Sequence, residues 1–216
     1  MLRADGDCGG AGVSAGSSGP LASPEITVKL FVENPEAVRL KELVPVFHRW
    51  IREDLLPDEL PIDVASYAHV PKGPGVMIIC DKAQYALDER HGRPGIRYRA
   101  RRDPARGGEG GLERALGATL LAARLLETDP QLEGRYRFGT GEIEVGIHDR
   151  LRAPSAPETF TAVRSAFAAT VEELYQGGVR SAEMTSGARE PFTATFLMDV
   201  APSVGELLER LTVPAA

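Results

Sequence analysis

Apolar and polar residues alternate where patterning begins, with Ile26, Val28, Leu30 and Val32 on one side and Thr27, Lys29 and Phe31 on the other. A period of two is that of a strand, and Asn34-Pro35 ends it. Leu40, Leu43, Val44, Phe47, Trp50, Ile51 and Leu55 then recur at helical spacing as one apolar stripe. Pro45 has no N–H to donate and is tolerated in a first turn, which predicts a helix starting between Leu40 and Leu43 and stopping before Pro57.

Ile62 to Asp81 holds the longest apolar run, Val76 to Cys80, and reads as two strands joined by a Pro71-Lys72-Gly73-Pro74-Gly75 turn. Tyr85 to Asp88 and Ile96 to Arg102 predict another hairpin about Gly92 and Gly95, and Asp103 to Gly111 an unpatterned, mobile loop. Leu112, Leu116, Leu120, Ala123 and Leu126 predict a buried helix closed by Asp129-Pro130, and Ile143, Val145 and Ile147 a half-exposed strand. Phe160, Val163, Phe167, Val171 and Leu174 predict a third helix stopped by Gly177-Gly178. Val179 to Thr185, a Ser186-Gly187 turn and Phe192 to Val200 make a last hairpin, and Ser203 N-caps a final helix.

Together these elements predict an α+β fold, a mostly antiparallel sheet of about six to eight strands with helices mainly on one face. Its expected centre is the ribbon from Ile62 to Asp81, with the Phe47 and Trp50 side of the first helix lying across it. Ile26, Pro35, Phe47, Ile62 and Val76 line up in order with Ile143, Pro154, Phe167, Val179 and Phe192, which suggests a β-α-β-β-α unit duplicated over 24–130 and 131–216. Residues 1–23, rich in Gly, Ser and Ala and without a period, read as a disordered arm, leaving 24–216 as one domain.

Composition narrows the function classes. Hydrophobic residues at 43% beside 26% charged residues are those of an ordinary globular chain. A net charge of -6 makes nucleic acid and anionic membranes unfavourable partners for the chain as a whole. There is no run of about 20 apolar residues and no signal-peptide core. Cys8 and Cys80 make a poor disulfide pair, so the expected location is the reducing cytoplasm, away from membranes.

For chemistry, the predicted packing of the first helix on the ribbon brings His48 toward His69, Asp63 and Asp81, with Tyr67 on the same strand face as Asp63 and His69. Such a pocket suits general acid–base work or a metal, and the competing reading is a set of polar groups satisfied by backbone and by one another. No HExxH, CxxC or Gly-x-Ser-x-Gly spacing is present, and Gly73-Pro74-Gly75 reads as a turn rather than a phosphate loop. No residues are assigned as metal ligands, and the cofactor is left open. Cys80 reads as an inert core thiol, and His91 and His148 as solvated. Arg90, Arg93, Arg97, Arg99, Arg101, Arg102 and Arg106 form the conspicuous charge cluster, with Arg97, Arg99 and Arg101 sharing a strand face. That stripe can meet a phosphate or an acidic partner, or simply protect a solvated edge strand.

Val28-Lys29-Leu30-Phe31-Val32, Val44-Pro45-Val46-Phe47-His48-Arg49-Trp50-Ile51, Ile62-Asp63-Val64-Ala65, His69-Val70-Pro71 and Gly73-Pro74-Gly75-Val76 resemble a family of bacterial hypothetical proteins with no established activity. The resemblance covers most of the chain after Ser23 and implies a bacterial cytosolic protein; it transfers no catalytic residues, substrate or cofactor. The leading expectation is therefore a noncatalytic binding or assembly protein with an unidentified protein or small-molecule partner. A small enzyme using His48, His69, Asp63 or Asp81, and a nucleic-acid binder using Arg90 to Arg106, are the alternatives.

Overall fold

A computed structural model describes residues 25–101 and 110–212; the arm at 1–23 and most of the 103–111 loop, with Arg102 and Arg106, lie outside the described residues. The strands are β1 (Ile26–Val32), β2 (Pro61–Ser66), β3 (Val76–Cys80), β4 (Ala83–Asp88), β5 (Gly95–Ala100), β6 (Phe138–Ile147), β7 (Val179–Met184) and β8 (Phe192–Met198). The helices are α1 (Leu40–Arg52), α2 (Gly111–Thr128), α3 (Pro157–Tyr175) and α4 (Val204–Thr212). All eight strands join one sheet in the order β2-β3-β4-β5-β1-β6-β8-β7, and every neighbouring pair is antiparallel. The fold is α+β.

One face of this sheet carries Val28 and Leu30, Ile96 and Tyr98, Ile143 and Val145, Ala194 and Phe196, all buried in a single core with the apolar stripes of the four helices. Alternation put these side chains on one face, and burying them against helices is what holds the layers together. Leu43, Phe47 and Trp50 of α1, Leu116 and Leu120 of α2, and Val163 and Phe167 of α3 are fully or almost fully buried there. The Phe167 ring stacks on Phe196 at 4.1 Å. Ala115, Ala122 and Ala123 let α2 lie close to the sheet centre, where the Thr119 hydroxyl reaches the Val28 carbonyl.

Three expectations need correction. The ribbon from Ile62 to Asp81 is not central: β4 and β5 insert between β3 and β1, which leaves β2 as an edge strand with Leu60 and Ile62 more than half exposed. The centre is instead β1 beside β6, and all seven residues of β1 are buried. That edge is guarded, because pairing shifts between Pro61 and Asp63 and the Asp63 carboxylate takes the Val64 N–H. Secondly, β5 lies inside the sheet, so Arg97, Arg99 and Arg101 do not protect an exposed edge. Thirdly, Pro45 is the sixth residue of α1, beyond its first turn, where it removes the bond that the Lys41 carbonyl would accept. The helix nevertheless begins at Leu40, and α1 contacts β2 and β3 as its apolar stripe requires.

Ser203 caps α4 as predicted. Its hydroxyl oxygen accepts the Glu206 N–H, and the Glu206 carboxylate accepts from the Ser203 hydroxyl and the Ser203 N–H, the hydroxyl bond first and the N–H bond second holding that carboxyl below its usual range. Each half of the chain runs strand, helix, hairpin, helix, except that the first half inserts a second hairpin, β4–β5, before its closing helix. From the centre outward the sheet reads β1-β5-β4-β3-β2 on one side and β6-β8-β7 on the other.

Candidate functional site

The four described helices share one face of the sheet, and among the described residues no helix covers the opposite face. Register places Arg97 of β5, Lys29 of β1 and Glu144 of β6 side by side in one cross-strand row there. Arg99, Thr27, Gly146 and Thr193 form the next row. Thr27, Lys29 and Phe31 are buried on this face all the same. Long side chains supply the cover: the Arg93 guanidinium lies 3.8 Å over the Phe31 ring and is clamped by the Glu142 carboxylate through two 2.7 Å bonds.

Lys29 is the anchor. Its ammonium donates to Asp88 Oδ1 at 2.5 Å and to the Arg93 carbonyl at 2.7 Å. It gets there by crossing Gly95, where a Cβ would stand 2.6 Å from Lys29 Cε and 2.4 Å from the Leu30 carbonyl oxygen. The other Asp88 oxygen lies 2.9 Å from Arg97 Nε, too poorly aligned for a hydrogen bond, so the contact is an ion pair. One buried carboxylate thus serves two buried cations, with Arg90 Nε a further 3.8 Å neighbour.

That arithmetic leaves Arg97 underserved. It is 7% exposed, and among the described residues no hydrogen bond from its guanidinium is formed. Burial pushes its pKa below the ordinary value and the Asp88 charge pulls it back. An arginine stays charged at any physiological pH, so the group is a buried cation with donors to spare. It opens onto a cavity of about 340 Å³ walled by Thr27, Thr193, Thr195, Ser186 and His148. Gly146 keeps the floor open, since a Cβ there would lie 2.4 Å from the Thr27 hydroxyl. Arg90 and His91 overhang the mouth from a short 3-10 turn, with His91 held at φ 58°. Ser186 is tied down by the Ser155 hydroxyl at 2.7 Å and by the Thr193 N–H at 2.9 Å.

His148, expected to be solvated, lines this cavity. Its burial, then the positive charges of Arg99, Arg97 and Arg90, lower its pKa from 6.5 to about 4. The imidazole is therefore neutral at pH 7, and the folded protein binds fewer protons than the unfolded chain between those values. Stability contributed this way is complete above pH 6.5 and is lost as pH falls toward 4. Comparing urea midpoints at pH 7.5 and 5 should show a larger acid loss in the wild type than in His148→Gln; equal losses would exclude this origin.

The residues named from sequence fall elsewhere. His48 is exposed on α1, on the helix-covered side, whereas Asp63 belongs with Ile79 on the open face. His69, in the loop after β2, and Asp81, in the β3–β4 turn where its carboxylate takes the Leu60 N–H at 3.2 Å, stand at opposite ends of the hairpin. The four do not converge, and among the described residues no three His, Cys, Asp or Glu side chains are grouped to hold a metal. Tyr67 is exposed, its ring 6.5 Å from that of His69. Of the arginine stripe, Arg97 lines the cavity; Arg99, 3.4 Å from Glu25, and Arg101, bonded to the Cys80 carbonyl, line a second, polar pocket of similar volume with Asp81 and Gln84. Cys80 is fully buried, as its apolar strand predicts.

Sequence reading missed Lys29, Asp88, Glu144 and His148. Its one available signal was a lysine inside an otherwise apolar strand, which demands a buried partner. No protein-family model matches the chain, and no curated protein is found as a relative. Among the described residues no helix is long and apolar enough to cross a membrane.

Proposed function

We propose that the chain is a noncatalytic binding protein of the bacterial cytosol that holds a small anionic molecule against the helix-free face of its sheet. The observation that carries this is Arg97, a buried guanidinium without a hydrogen-bond acceptor, facing a cavity walled by hydroxyls and a neutral histidine. Buried cations are ordinarily paired, and an anion in the cavity completes the pairing that Asp88 shares with Lys29. A phosphate or carboxylate group fits the planar fork. The enzyme alternative lacks a pair of titratable groups in reach of one another at His48, His69, Asp63 and Asp81. The nucleic-acid alternative is weakened because the arginines are interrupted by Glu25, Glu142 and Glu144 and several are already engaged. The mirrored strand order about β1 and β6 supports reading the two halves as one repeated unit.

A ligand that binds only the folded state raises its stability, by about 2.7 kcal/mol at a hundred times Kd. Thermal unfolding with inorganic phosphate, propionate and citrate is expected to give at least one saturable stabilisation in the wild type. Arg97→Gln should weaken it by about tenfold or more, roughly the value of one charge-assisted hydrogen-bonded contact. Identical responses from the two proteins would reject the site.

A further inference from the structure

The cavity contains a second unsatisfied charge of opposite sign. Glu144 stands directly across from Lys29 in the β1–β6 register, which is where a cross-strand ion pair belongs. Lys29 turns away from it, however, and gives its ammonium to Asp88 and the Arg93 carbonyl. Among the described residues Glu144 is left with neither hydrogen bond nor salt bridge, half-buried in the cavity wall beside Thr195. The other carboxylates nearby are engaged: Asp88 by Lys29 and Arg97, Glu142 by Arg93, and Glu190 by the Gly187 N–H at 2.7 Å. Besides Arg90, half-exposed at the mouth and 3.8 Å from Asp88, the charged groups that face the cavity without a hydrogen bond among the described residues are the Arg97 guanidinium and the Glu144 carboxylate, in the same row and two strands apart, a backbone separation of about 10 Å.

Resting on the reading of Arg97 as an anion site, we infer that the ligand is a small zwitterion, its acidic group on Arg97 and an amine against Glu144. Glu144 meets only the longer-range charges of Arg93 and Arg97, and an anion on Arg97 takes up part of that, while a molecule carrying an ammonium gives Glu144 a direct partner and satisfies both groups at once. The hydroxyls of Thr27, Thr193 and Thr195 lie along the cavity wall. The lining as a whole, with Arg90, Arg93 and Arg97 against Asp88, Glu144 and Glu190, also suits a ligand without net charge.

Titration calorimetry compares β-alanine, γ-aminobutyrate and phosphoethanolamine with propionate, butyrate and ethyl phosphate, which lack the amine. At least one aminated compound is expected to bind about tenfold more tightly than its amine-free counterpart, the effect of one well-made ionic contact. Glu144→Gln, which changes charge but not shape, should erase that preference and tighten the amine-free acid; Arg97→Gln should weaken both kinds. Amine-free anions that bind the wild type as tightly as the zwitterions, yet are lost in Arg97→Gln, would overturn the zwitterion and leave the anion site standing. Failure of every compound to bind in an Arg97-dependent way would remove both.

Discussion

Replacing Asp88 with Asn is expected to lower the free energy of unfolding by about 3–5 kcal/mol, the cost of stripping the partner from buried charges. The carboxylate is completely buried and holds Lys29 at 2.5 Å and Arg97 at 2.9 Å, both cations themselves nearly inaccessible to water. An asparagine of the same shape keeps one acceptor oxygen but cannot neutralise either neighbour, and it aims an amide donor at one of them. Two buried positive charges are then left to repel across a medium that screens poorly. The exposed Arg93–Glu142 pair supplies the control: although its two bonds are equally short, Glu142→Gln should cost less than about 1 kcal/mol because water screens it. Urea denaturation of both variants measures the contrast. A Lys29→Met, Asp88→Leu, Arg97→Met triple variant should recover much of the Asp88→Asn loss, since an apolar cluster of similar volume has no charge to desolvate. An Asp88→Asn protein within about 1 kcal/mol of wild type would mean that the cations are solvated and that Arg97 needs no anion from the cavity.

How this cluster escaped the sequence reading follows from what periodicity can report. Alternation assigns a residue to a face of its strand, and it did so correctly for Ile96, Tyr98 and Ala100 against Arg97 and Arg99. Strand order is a long-range property, and nothing local to Val76–Cys80 states that β4 and β5 lie between it and β1. The apolar run there is genuine, but it reflects cover by α1 on one side and neighbouring strands on either edge, not a position at the centre. Lys29 and Asp88 are 59 residues apart, so no spacing rule pairs them. Histidines drew attention to His48 and His69 because of their chemistry, whereas His148 sits just past the end of β6 and looked like a loop residue. What places it in the cavity is the sheet that brings β6 beside β1 and β8. Gly95 read as part of a hairpin loop and Gly146 carried no signal, and their role in clearing space for Lys29 and beside Thr27 is visible only once the neighbouring strands are in place.

Gly75→Ala is expected to destabilise the fold by about 2–5 kcal/mol and to weaken anion binding with it, combining about 1–2 kcal/mol for a left-handed residue with about 1–3 kcal/mol for overpacking. Gly75 has φ +69°, and a Cβ built there would lie 1.8 Å from the Leu87 carbonyl oxygen and 3.2 Å from Asp88 Cα. Its own carbonyl accepts the Tyr67 N–H at 2.7 Å, so the loop cannot swing away without giving up the bond that closes the β2–β3 hairpin. The displacement must therefore pass into β4 at the residue that anchors Lys29 and Arg97. Gly92→Ala separates the two costs: Gly92 has nearly the same φ, +71°, yet nothing within 4 Å of a Cβ. It should lose only the conformational part, about 1–2 kcal/mol. Urea midpoints for both variants, read together with the phosphate response, distinguish strain from steric displacement. Equal losses would show that the backbone of β4 yields freely to the turn. A larger loss at Gly75, with the phosphate response weakened only there, would tie the turn to the position of Asp88, because both glycines carry the same backbone strain and only one of them presses on the strand that holds the cavity's buried charge.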